Sequence, residues 1–184
     1  MLFRSALILQ GLEAGGHRGH FLRPDNDLAG QGPWRALLAE VRDRAAGTPL
    51  IVAGGIATPE DVVEALSAGA QAVQVGTAFL RTDEADTSAV HRAALAQGGE
   101  TALTNLFSGR PARGLLNRFM RDAGPMCADA PAFPLASADL APLRAAAEAA
   151  GRGDYSPLWS GSRGAARGGA AADVVAWLTS GLPA

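Results

Sequence analysis

The sequence has little of several residue types, and each shortage excludes a class of function. Among 184 residues Cys127 is the single cysteine, which excludes an intrachain disulfide and a cysteine-based metal cluster. All 16 basic residues are arginine, which we attribute to composition bias rather than to mechanism. Together with 18 acidic residues they give a net charge of −2, which argues against nucleic acid or an anionic membrane as the main partner.

Long apolar runs are also missing. No apolar stretch reaches the length of a membrane span, and Arg4 interrupts the short N-terminal run, which therefore does not resemble a signal peptide. The three histidines share no helical spacing and have no acid pair nearby, so we expect no metal site. Because 48% of the residues are hydrophobic, the composition predicts a globular domain with a substantial core. Without a membrane span or a signal peptide pattern, the expected compartment is the cytoplasm.

The first part of the chain alternates between strand and helix patterns. Apolar runs of strand length occur at Ala6–Leu9, Pro49–Ala53 and Ala72–Val75. Helix-start signals lie between them, at Pro33 and at Thr58 with the proline that follows it. Strands that alternate with helices are parallel and joined by right-handed crossovers. Residues 1–82 therefore predict three βα units of an α/β fold.

Beyond residue 83 the pattern changes, without a second core of its own. We expect residues 83–184 to be a helical C-terminal segment that packs on the first part within the same domain. The sequence predicts helices at Asp86–Gln97, Arg113–Arg121, Asp139–Ala150 and Asp173–Thr179, an extended stretch at Thr101–Phe107, and a flexible stretch at Arg163–Ala172.

Each predicted strand ends in a glycine-rich loop. The first loop runs from Gln10 through Gly15 and Gly16 to His17, and the others contain Gly54–Gly55 and Gly76–Thr77. Ligands of α/β folds bind at such loops, where glycine amides and a threonine hydroxyl suit a phosphate group. The alternative interpretation is a set of tight turns with a surface histidine.

Four segments together resemble the nitronate monooxygenase family, formerly called 2-nitropropane dioxygenases. They are Gln10–Gly19, Ala53–Ala57, Gln74–Thr77 and Ser108–Gly114, and the first is the most specific. The resemblance implies an FMN-binding (β/α)8 barrel, of which this chain matches the last three βα units and a helical tail. Since a whole barrel takes about 250 residues, we expect a truncated sequence or a chain that pairs with a separately encoded N-terminal half.

The resemblance also implies the chemistry. Family members oxidise alkyl nitronates or nitroalkanes with O2 to carbonyl compounds and nitrite, and His17 resembles the base that takes a proton from the carbon beside the nitro group. The residues implied in FMN binding lie along the flavin (Gln10, Gly15, Gly16) and at its ribityl phosphate (Gly54, Gly55, Gln74, Val75, Gly76, Thr77).

Two other hypotheses compete with this one. FMN-dependent enoyl-thioester (enoyl-ACP) reductases share the Glu-Ala-Gly-Gly-His core, but they usually carry Glu at the position of Gln10. The other hypothesis is that the chain is not an enzyme by itself but an inactive fragment or half of a split barrel, because three parallel strands leave unpaired edges.

Several charged residues are assigned local roles rather than chemistry. Glu13 either orients the first loop or is bound by a backbone amide. We expect Arg110 and Arg113 to tie the C-terminal segment to the barrel. His20 is expected at the surface, and His91 either faces solvent or forms a local hydrogen bond.

Overall fold

The architecture comes from a computed structural model, which describes residues 6–19, 27–164 and 166–183. His20 lies outside the described residues. No helix within these ranges has both the length and the apolar character needed to cross a membrane. In chain order the elements are β1 (Leu7–Gln10), β2 (Gly16–His17), α1 (Trp34–Arg42), β3 (Leu50–Ala53), α2 (Pro59–Ser67), β4 (Ala72–Gln74), a 3-10 turn (Thr77–Phe79), β5 (Arg81–Thr82), α3 (Ala89–Gln97), β6 (Thr101–Thr104), β7 (Ala112–Leu115), α4 (Arg118–Ala123), α5 (Ala136–Ala149), β8 (Gly168–Gly169) and α6 (Ala171–Leu178).

A parallel sheet in the order β1-β3-β4 confirms the predicted strand–helix alternation. Parallel neighbours need a crossover between them, and α1 and α2 supply it. The register pairs Gln10 with Ala53 and Ala53 with Gln74, so the last residues of the three strands lie side by side. The three loops that follow the strands therefore emerge at the same end of the sheet.

The main core lies between one face of this sheet and helices α1, α2 and α6. Trp34 of α1 is 1% exposed, and Val52 of β3 is fully buried. Val174 of α6 belongs to the same cluster, so α6 packs with the first strand and helix in one core. Side chains alternate between the faces of a strand. The opposite face includes Ile8, which is 58% exposed.

A second, antiparallel sheet in the order β2-β7-β6 joins the two parts of the chain. His17 of β2 pairs with Ala112 of β7, and Thr104 of β6 pairs with Ala112 from the other side. The extended stretch predicted at Thr101–Phe107 begins with β6, whereas β7 and β8 are strands in a segment expected to be helical or flexible at those positions.

The predicted helix Arg113–Arg121 is wrong in its first half. Residues Ala112–Leu115 form β7, because neighbours on both sides satisfy its backbone groups. The helix begins only at Arg118, where the side chain of Asn117 accepts a hydrogen bond from the N–H of Met120 at 3.2 Å. Tertiary pairing has overridden local helix propensity here.

Helix α2 begins with a complete capping box. The Thr58 hydroxyl accepts a hydrogen bond from the N–H of Asp61 at 3.3 Å. Oδ2 of Asp61 in turn accepts the N–H groups of Ala57 and Thr58, both at 2.9 Å. These contacts satisfy donors that the first turn of a helix leaves open. They also fix the loop after β3, since Ala57 belongs to it.

We predict that Thr58→Ala destabilises the fold by about 1 kcal/mol, the usual cost of a lost N-cap. For a chain of this size the melting temperature should fall by about 2–4 °C. Ser67→Ala, at the exposed end of the same helix, is the matched control and should melt with the wild type. Equal melting temperatures for both variants in differential scanning calorimetry would contradict the assigned cap.

Candidate functional site

A cleft of about 260 Å³ opens at the carboxyl ends of β1, β3 and β4. It lies where the strand register places the three glycine-rich loops, and all but two of the sequence-predicted site residues line it. Those that do are Gln10, Gly15, Gly16, Gly54, Gly55, Gln74, Gly76 and Thr77.

The two exceptions, Val75 and His17, have separate explanations. The Val75 side chain packs against the main core, because neighbouring residues along an extended chain point to opposite faces. His17 lies beside the cleft, with its ring centroid 5.5 Å from that of Trp159, which does line the cleft. The predicted base is therefore at the rim of the predicted cofactor site.

The glycines of these loops serve two different purposes. Gly54 has φ +97°, and a Cβ there would lie 2.7 Å from the Cβ of Ala14, so glycine lets the loop after β3 pack on the loop after β1. Gly76 has φ −116°, and a Cβ there would meet nothing within 4 Å. At Gly76 the missing side chain keeps space open rather than relieving backbone strain.

Hydrogen-bond donors gather on the side of the cleft formed by the loops after β3 and β4. The backbone N–H groups of Gly55, Thr77 and Ala78 find no acceptor within the described part of the chain. The Thr77 hydroxyl accepts a hydrogen bond from Gly161 N–H at 2.9 Å, which leaves its own proton to donate. Open amides beside a hydroxyl suit a phosphate, so these residues fit the phosphate end of FMN.

His17 forms a short contact that the sequence did not predict. Its Nε2 lies 2.7 Å from Oγ of the buried Ser108, at the start of the turn before β7. Burial lowers the pKa of His17 below its ordinary 6.5, and the positive charge of Arg110 lowers the pKa further. Both effects favour a neutral imidazole, which is the form that accepts a proton.

Gln10 holds the loop that carries His17. Its Nε2 donates to the His17 carbonyl at 3.0 Å, and its Oε1 accepts from Gly19 N–H at 2.7 Å. Both ends of its amide are thus used by the loop backbone. Gln10 lines the cleft while also closing the turn above it.

A buried arginine supports the same loop from inside. Arg18 donates to the carbonyl oxygens of Gly11 at 2.8 Å and Ala14 at 3.3 Å. Its pKa falls to about 10, mainly through burial and then through the charge of Arg113, while Glu13 opposes the shift. No local pattern in the sequence predicts a role for Arg18, because burial of a single arginine has no periodic signal.

A segment near the C-terminus, residues 159–164, forms the remaining wall, and the sequence analysis missed it as well. Ser162 N–H donates to the carbonyl of Glu13 at 2.9 Å, and a Cβ on Gly15 would lie 2.6 Å from the Gly161 nitrogen. The one available signal was Trp159, a bulky side chain followed by small residues in a stretch rich in alanine and glycine.

The structure shows what three other residues contact. A backbone amide binds Glu13, as one of its two expected roles required: the N–H of Trp34 donates to its carboxylate at 3.2 Å. Arg113 ties β7 to that loop through the carbonyl of Leu12 at 3.0 Å. His91 neither faces solvent nor bonds locally as expected: its Nε2 lies 2.9 Å from the carbonyl oxygen of Trp159, 68 residues further along the chain.

Comparison with known proteins points to one family. The profile of the family "Nitronate monooxygenase" matches residues 3–181. A probable nitronate monooxygenase of Staphylococcus aureus (strain JH9) is 37% identical over 158 residues, which cover 85% of this chain and 44% of the relative. The chain therefore spans less than half the length of the curated relatives that it matches.

Solved structures share the fold. The nitroalkane oxidase from Streptomyces ansochromogenes superposes with a TM-score of 0.86 at 41% identity, over 97% of this chain and 51% of that one. A FabK mutant from Thermotoga maritima superposes with a TM-score of 0.67 at 25% identity, over 96% of this chain and 51% of that one. With an α/β fold shared by both and a family profile that spans nearly all of its residues, this chain belongs to the nitronate monooxygenase family.

Proposed function

We propose that this chain provides the FMN cleft and the catalytic base of an enzyme that oxidises alkyl nitronates and nitroalkanes with O2 to carbonyl compounds and nitrite. The observation that carries the proposal is the convergence of three post-strand loops on one cleft with His17 at its rim. The nitroalkane oxidase match, with a higher identity and TM-score than the FabK match, supports this substrate class.

We propose further that β1, β3 and β4 are three adjacent strands of a (β/α)8 barrel. One face of the sheet packs on helices, and the other carries the exposed Ile8 and Ala72. Inward-facing side chains of this kind fill the centre of such barrels in layers. The chain also covers about half of the structurally similar nitroalkane oxidase, at 51%.

In the proposed complex Gly55 and Thr77, which offer open amides in the loops after β3 and β4, would hold the FMN phosphate. Gln10, Gly15 and Gly16, which also line the cleft, would hold the flavin. When bound, FMN supplies the electron acceptance and the reactivity toward O2. The chain contributes the binding, the orientation and the proton transfer.

His17 takes a proton from the carbon next to the nitro group of a nitroalkane. The Ser108 hydroxyl donates to the Arg110 carbonyl at 3.2 Å, so it can accept the Nε2 proton of His17 and leave Nδ1 as the basic nitrogen. The rings of Trp159 and Phe133 lie edge-on to the imidazole of His17, with centroid distances of 5.5 and 6.2 Å. They would give the alkyl group of the substrate apolar surroundings. A ready-made nitronate has already lost this proton and needs the base less.

The cleft assignment predicts that Gly76→Val weakens FMN binding by about ten-fold or more, because the new side chain enters the open space beside Thr77. Gly168→Val is the matched control, since a Cβ there also meets nothing within 4 Å but lies outside the cleft. Titration of FMN fluorescence measures the FMN affinity of both variants. Wild-type affinity in Gly76→Val would refute the placement of the phosphate.

The base assignment predicts a split between substrates. His17→Gln should lower kcat/KM for a nitroalkane by about 10²–10⁴-fold, the usual contribution of a general base. For the corresponding preformed nitronate the loss should stay below about ten-fold. Steady-state oxygen consumption with both substrates measures the split, and equal losses would show that His17 is not the base.

The lowered pKa of His17 predicts the pH dependence. The neutral imidazole is the active form, so kcat/KM for a nitroalkane should fall only as pH drops through a pKa below 6.5. Arg110→Gln removes the positive charge, one of the two causes of the lowered pKa. The pH at which activity falls on the acid side, the acid limb, should therefore move up toward 6.5, although burial still holds the pKa of His17 below that value. An acid limb that moves downward in the variant would contradict the assignment.

A further inference from the structure

The cleft contains one charge among its described lining residues, and that charge is positive. Arg163 lines the cleft together with Gly55, Gly76 and Thr77, and every other described lining residue is neutral. The sequence alone predicts only a flexible stretch at Arg163. A guanidinium group beside open amides is an arrangement that attracts a phosphate group.

The turn that carries Arg163 is anchored on both neighbouring loops. Gly161 N–H donates to the Thr77 hydroxyl and Ser162 N–H to the carbonyl of Glu13, each at 2.9 Å. The turn closes on itself through Gly164 N–H and the Gly161 carbonyl at 3.1 Å. The backbone at Arg163 is therefore fixed between the loop after β1 and the loop after β4.

The guanidinium group contacts a carboxylate that already has other donors. A terminal nitrogen of Arg163 lies 3.3 Å from Oδ2 of Asp61. The same oxygen accepts the backbone N–H groups of Ala57 and Thr58 and the Thr58 hydroxyl at 3.2 Å. A guanidinium carries five N–H donors in a planar fork, so this one contact leaves the group able to bind a second anion.

The electrostatics of the loop also favour a second anion. The Asp61 side chain is 7% exposed. Its negative charge would repel a phosphate bound at the loop after β3, which contains Gly55. Arg163, whose side chain is 51% exposed, lies against that carboxylate and faces the cleft. It offsets the repulsion and offers donors to the phosphate at the same time.

We propose that Arg163 is a cofactor-binding residue that contacts the FMN phosphate, so that the site discriminates FMN from riboflavin. The inference rests on the proposed FMN function and deepens it. Riboflavin has the same ring and ribityl chain but no phosphate. An arginine that served only as the partner of Asp61 would affect the binding of both flavins equally.

The test compares the affinities of FMN and riboflavin, by fluorescence titration, for the wild type, Arg163→Gln, Arg163→Lys and Arg167→Gln. Arg167 is the matched control, because its guanidinium lies 4.2 Å above the Trp177 ring and outside the cleft. Circular dichroism melting of each variant checks that the fold is retained.

We expect Arg163→Gln to weaken FMN binding by about ten- to hundred-fold, the range of a hydrogen bond to a charged group, without changing riboflavin binding. Arg163→Lys keeps the charge, so its FMN affinity should lie between those of the wild type and Arg163→Gln. Arg167→Gln should bind FMN as the wild type does. Equal losses for both flavins, or no loss, would overturn the role of Arg163 alone. A wild-type chain that binds neither flavin would overturn the proposed function itself.

Discussion

The site depends on the register of one small parallel sheet. Pairing of Gln10 with Ala53 and of Ala53 with Gln74 brings the ends of three strands into line. Everything that lines the cleft from residues 10–16, 54–57 and 74–78 is placed by that alignment. A shift of one residue would turn the side chains of a strand to its opposite face, moving Leu9 or Val52 out of the core. Core packing therefore fixes the functional geometry as well as the fold.

A second constraint joins His17, the proposed base, to the later part of the chain. His17 belongs to a strand that pairs with β7, and its ring contacts Ser108 just before that strand. Residues 159–164 then hydrogen-bond to the loops after β1 and β4. The C-terminal segment thus forms one wall of the cleft, supports the histidine loop and contributes an arginine to the site.

Local signals were sufficient for the three parallel strands, the starts of α1 and α2 and the glycine loops. Apolar runs ending in glycine predicted β1, β3 and β4, and the Thr58–Asp61 pattern predicted the start of α2. The site residues that were missed share a different physical origin. Ser108, Trp159 and Arg163 reach the cleft through contacts between residues far apart in the chain, which leave no periodicity in the sequence. The same kind of pairing turned part of a predicted helix into β7.

In the proposed complex the cleft at the ends of these three strands holds FMN through its phosphate. A crystal structure of the chain grown with FMN tests it most directly. We predict electron density for the phosphate within hydrogen-bond distance of the amides of Gly55 and Thr77, with the flavin directed toward Gln10 and His17. Flavin density anywhere else on the chain, or a phosphate turned away from these loops, would contradict the account.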